Sequence, residues 1–160
     1  MNSRLSLAAG LLVTAGLVVA VGAGCAGKSM GKMGSGDIVA DRQRLMKLNG
    51  ASLQDIQAKM KAGNVEAIAV NAETLALNAR HIPALFPEGS LTEKSNAKPE
   101  IWQRRAEFDQ LAQKLQSDSE KLRDAAPAKN QQLAQEILQD LGKTTCGACH
   151  TAFRKPLPRS

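Results

Sequence analysis

The sequence predicts an all-α fold, an antiparallel four-helix bundle whose chemistry-bearing residues sit on the last helix. Three observations predict it. From residue 37 onward, apolar side chains recur every three or four positions in four separate stretches. No strand-like alternation of useful length interrupts them. Two connections are short and one is long, which suits helices packed antiparallel on their neighbours.

The first stripe is Ile38, Arg42, Leu45, Met46, Asn49, Leu53, Ile56 and Met60, and Gly63 supplies a stop. Asn49-Gly50 is a turn signal, yet the stripe keeps its phase through the pair. One helix is therefore expected, at a cost of roughly 1 kcal/mol for the glycine. Asn64 is a candidate cap for a second helix with Val65, Ile68, Ala72, Leu75, Ala79 and Ile82, ended by Pro83. Residues 83–98 hold Pro83, Pro87 and Gly89 and make the longest loop. Pro99 and Glu100 open a third helix, with Ile101, Phe108, Leu111, Leu115 and Leu122 on its stripe. Pro127 separates it from a fourth, where Leu133, Ile137, Leu138, Leu141, Thr145 and Ala148 are in phase.

The N-terminus reads as an export signal. A short basic start, Met1 to Arg4, precedes the uncharged run LSLAAGLLVTAGLVVAVGAG, and small residues then lead to Cys25. The domain boundaries expected are a signal peptide over residues 1–24, a flexible Gly/Ser/Lys-rich tether over 25–36, and the bundle over 37–156. An apolar stretch of about 20 residues could also stay as a membrane anchor. Cys25 carries two readings: the lipid-modified first residue of a bacterial lipoprotein, or an incidental residue at a cleavage site. Gly22 stands where a lipoprotein signal usually has Leu. Either way the folded part is expected in the periplasm, where thiol chemistry is oxidising.

The chain carries a net charge of +6, and losing Arg4 with the signal leaves +5 (6 − 1). That charge is spread along the helices and forms no basic-aromatic patch, which argues against nucleic acid as a partner. It suits a solvated surface or docking to an acidic partner. Aromatic bulk is scarce: three Phe, one Trp and no Tyr. A bundle closed by small side chains on facing stripes leaves room for a flat ligand.

The stretch "TTCGACHTAFR", residues 144–154, crowds Cys146, Cys149 and His150 into one turn. This is C-x-x-C-H, the attachment signature of c-type haem. Two thiols that add to vinyl groups on neighbouring pyrroles must leave one side of a short segment, and the imidazole must lie under the iron. Positions i, i+3 and i+4 of a helix fall within about 100° of arc and meet that need. His150 is then the proximal iron ligand. Competing readings are a zinc site, for which His81 is the only distant fourth ligand, a redox pair without its usual βαβ setting, and a plain disulfide.

The chain resembles the class II cytochromes c, meaning cytochrome c-prime and its low-spin, methionine-ligated relatives. The resemblance covers roughly residues 37–155 and rests on "RQRLMKLNG", "ALFPEGS", "KPEIWQRRAEFD" and, most specifically, "CGACHTAFR". It implies a four-helix bundle, one covalent haem c on Cys146 and Cys149, and a non-enzymatic role. It also implies a basic residue at Arg154 near the proximal side, and Arg42 near a haem propionate. The ordinary alternatives are a helix-end Arg154 complementing the dipole and an Arg42 snorkelling to solvent. Trp102 and Phe108 read as plain core. Redox proteins are the implied partners, and family members often pair as antiparallel homodimers through their first two helices, a pairing that no residue here settles. Membrane attachment would run through a lipidated Cys25.

The distal side separates two functions. Low-spin relatives complete the iron with a Met of the first helix, and Met46 stands at that place, one turn after Arg42. The function then expected is a periplasmic single-haem electron carrier with His/Met iron. Where that position is aliphatic, the iron is five-coordinate and binds nitric oxide or carbon monoxide. Met46 could also be a filler of a core gap.

Overall fold

The computed structural model describes residues 36–156. The signal, Cys25 and nearly all of the tether lie outside the described residues. Helix α1 spans Ile38–Lys61, α2 Ala69–His81, α3 Glu100–Gln103 and α4 Arg105–Ala125. The last helix runs through three parts: α5 (Gln131–Asp140), a π-helical segment (Leu141–Gly147) and α6 (Ala148–Phe153). Among the described residues there is no β-strand, only one isolated antiparallel bridge between Ala97 and Arg154. The all-α bundle is the fold expected from the stripes.

The turn signal at Asn49-Gly50 is overridden because Asn49 is buried and accepts a hydrogen bond from Asn78 Nδ2 at 2.8 Å, tying α1 to α2. Asp37 caps α1, its Oδ1 accepting from the amides of Val39 and Ala40 at 2.9 and 3.2 Å. Asn64, by contrast, is no helix cap. Gly63 adopts φ +73°, and the amides of Gly63 and Asn64 donate to Met60 O and Lys59 O. The pair closes α1 in a Schellman motif, so Asn64 finishes one helix and a 3₁₀ turn at Glu66–Ile68 leads into α2.

Two further expectations shift. The third helix breaks at Arg104 (φ −119°, ψ 45°), which separates the short α3 from α4. Leu133 lies 41% exposed, because Ala134 and Leu138 take the interior of α5 in its place.

Helix α2 packs against both α1 and α4, and α4 also packs against every part of the last helix. The core divides in two. One cluster is aliphatic and includes Ile56, Met60, Ile68, Leu75 and Leu122. The other collects all three phenylalanines at the far end of the bundle. Phe108 meets Phe86 edge-on at 5.0 Å and Phe153 at 5.5 Å between ring centroids. The few aromatics of the chain are thus spent on one end.

Candidate functional site

That end encloses a cavity of about 550 Å³, within the range of small-molecule and cofactor sites. Helix α1 supplies Arg42, Met46, Asn49 and Leu53 to its walls, α4 supplies Phe108, Leu111 and Leu115, and the last helix supplies Cys146, Cys149 and His150. Arg154 closes the series. All six residues singled out from the sequence therefore line one space. His81 does not; it lies exposed at the end of α2. Phe108, read as plain core, is both core and cavity wall.

The last helix reaches the cavity with its C-terminal end clamped from outside. Lys98 N donates to Phe153 O at 2.9 Å, and Lys155 N donates to Asn96 O at 2.8 Å. Lys98 Nζ caps the same helix end, donating to Thr151 O at 3.0 Å. The long loop is thus fixed against the end of α6, and its Ser95, Asn96 and Ala97 line the cavity. Nothing in the sequence marked those three residues.

Cys146 and Cys149 are not joined in a disulfide, and both are half-buried. Burial pushes the Cys146 thiol up, and burial together with the neighbouring Cys146 pushes Cys149 to about 11. The pair is protonated at neutral pH. Burial, and then the positive charge of Arg154, lowers the His150 pKa, so its imidazole is neutral and has a lone pair to give. Among the described residues no three His, Cys, Asp or Glu side chains gather as a metal site, which leaves the zinc reading without a ligand set.

Arg42 is 4% exposed and is bound to protein. Its Nε donates to Leu85 O at 2.5 Å, its Nη1 to Ser90 O at 3.1 Å and its Nη2 to Ser90 Oγ. It fastens the Leu85–Ser90 stretch of the long loop over the end of the cavity. Arg154 differs: its Nε is buried and has no hydrogen-bond partner. A buried donor without an acceptor is costly unless a bound group supplies one.

The donor set fits a haem. The cavity is apolar and aromatic, two protonated thiols and a neutral imidazole share one helical turn, and an unused guanidinium donor waits at its edge. Once bound, haem iron supplies one-electron redox chemistry and sites for small axial ligands.

A family model described as Cytochrome C' matches residues 37–154. The chain is 36% identical over 119 residues to a cytochrome c-556 of Agrobacterium tumefaciens (strain II Chrys), across 72% of this chain and 95% of that protein. It is 33% identical over 118 residues to a cytochrome c' of Pararhodospirillum photometricum, across 71% and 93%. Among solved structures, a nitric oxide complex of a variant cytochrome c prime from Alcaligenes xylosoxidans is similar with a TM-score of 0.67 and 30% identity. The match covers 76% of this chain and 96% of that one.

Proposed function

Because the chain belongs to the cytochrome c' family and carries haem c on the C-x-x-C-H of its last helix, we propose that it is a single-haem electron carrier. In this reading His150 is the proximal and Met46 the distal iron ligand. The observation that carries it is that Met46 of α1 lines the same cavity as His150, from the half-buried stretch of its helix. A thioether is a soft, neutral ligand that favours the reduced metal, and a His/Met pair suits electron transfer.

The chain's own residues then divide the work. Cys146 and Cys149 anchor the group and His150 orients it. Phe86, Phe108 and Phe153 exclude water, which limits reorganisation when charge changes. Arg42 holds the loop, and Arg154 offers its free donor to an acidic edge of the bound group. Export to the periplasm and service to redox partner proteins belong to the same proposal. Among the described residues no helix is long and apolar enough to cross a membrane.

A second reading has its own support. Solved relatives include cytochromes c prime with nitric oxide or carbon monoxide bound, and they lean towards a gas-binding protein with an open distal face. In that reading Met46 is a wall of the pocket and no ligand. The two readings part in the optical spectrum with and without carbon monoxide. A low-spin iron indifferent to the gas supports electron transfer, and a high-spin iron that takes it up supports gas binding.

A further inference from the structure

Asp118 is the one buried acid among the described residues, 4% exposed on the interior stripe of α4 between Leu115 and Leu122. A carboxylate there needs partners. Lys114 and Lys121, one turn away on either side, bring their ammonium groups to it at 2.5 and 3.2 Å. Those bonds stay within α4. The bond that leaves the helix is from Thr145, whose Oγ1 donates to Asp118 Oδ2 at 2.7 Å with both residues buried. Thr145 immediately precedes Cys146.

Thr145 also lies inside the π-helical segment, Leu141–Gly147. Leu141, Thr145 and Phe153 are buried and Cys149 lines the cavity, and these four are spaced by three steps of four residues. In an α-helix each such step overshoots the turn by about 40°, so three would carry the last residue roughly 120° off the face. The wider π turn absorbs the drift and keeps Leu141, Thr145, Cys149 and Phe153 facing the bundle. Gly147 is part of the same turn: a Cβ there would meet Gly142 O at 3.1 Å. Wide turns of this length are rare and need something to hold them.

We propose that Asp118 and Thr145 are positioning residues for haem attachment. Their buried bond holds the wide turn at Leu141–Gly147, and that turn aims Cys146, Cys149 and His150 into the cavity. The inference rests on haem being attached at Cys146 and Cys149.

The test is to express the full chain with haem-maturation machinery and read the covalently loaded fraction by intact mass and the iron spin state by optical spectroscopy. Thr145→Val keeps the side-chain shape and removes the donor. It should cut the loaded fraction several-fold and shift the spectrum of what is loaded, while Thr145→Ser should restore both. Gly147→Ala crowds the same turn without touching Asp118 and should also lower loading, which keeps the test open if the Val variant does not accumulate. Full loading with a wild-type spectrum in Thr145→Val, or in Gly147→Ala where only that variant accumulates, would overturn the inference whatever happens to the melting temperature. A wild-type chain that takes no covalent haem would instead sink the attachment reading beneath it.

Discussion

The guanidinium carbon of Arg42 lies 4.2 Å from the centroid of the Phe86 ring, so the cation stacks on an aromatic that itself walls the cavity. With its donors on Leu85 O, Ser90 O and Ser90 Oγ, Arg42 joins α1 to a loop 43 to 48 residues away. Arg42→Met should cost about 2–3 kcal/mol, the scale of hydrogen bonds to a charged donor. Arg42→Lys should rescue little of it, because an ammonium cannot reproduce the planar fork. Hydrogen exchange of the Phe86 and Ser90 amides is the local readout. Unchanged protection there in Arg42→Met would mean that the loop holds itself.

The two thiols make a simpler prediction. Cys146→Ala with Cys149→Ala should remove the covalent haem mass and lower stability by at least about 3 kcal/mol, as for a large buried group lost from a core. Thermal melting followed by circular dichroism checks it. A cooperative melt at the wild-type temperature would show that the bundle closes without its cofactor.

Acid stability should report on Asp118. Burial works to raise its pKa, but the hydrogen bonds from Lys114, Thr145 and Lys121 outweigh burial and hold it below the ordinary value of about 3.9. A carboxylate with a depressed folded pKa binds fewer protons folded than unfolded. Its stabilisation is present above about pH 4 and is lost as pH falls through the folded value. Asp118→Asn should therefore be less stable at neutral pH, and its melting temperature should fall less steeply with acid. Parallel curves for the two proteins would assign the acid sensitivity elsewhere.

The N-terminus is decided by mass. A mature chain starting at Cys25 with about two to three acyl chains is a lipoprotein, held at a membrane by more than one lipid. An unmodified terminus rules the lipoprotein out.

The bundle and the centre of its site were legible in the sequence for one physical reason. Helical periodicity and the i, i+3, i+4 spacing of Cys146, Cys149 and His150 are local properties, and local geometry follows from local spacing. What was hidden depends on a neighbour's backbone conformation or on distant partners. Asn64 reads as a cap until Gly63 turns left-handed and recruits it to the end of α1. The sequence placed Arg42 beside the cofactor, and it does line the cavity, but its three bonds to loop oxygens depend on residues that only the fold brings near. The π turn has no signature in composition. Asp118 did leave a trace, a charge in phase with Leu115 and Leu122, where an acid on an apolar stripe calls for a buried partner.

Met46 and His150 on the wall of one cavity are the centre of the functional reading, and carbon monoxide tests them most directly. The measurement is the optical spectrum of the reduced holoprotein before and after equilibration with the gas, with Met46→Ala alongside. If Met46 holds the iron, the wild type should be low-spin and take up the gas slowly or not at all. Met46→Ala should then be high-spin, bind it promptly and have a lower reduction potential. A wild type that is already high-spin and binds carbon monoxide at once, with Met46→Ala no different, would contradict ligation by Met46 and make this a gas-binding protein.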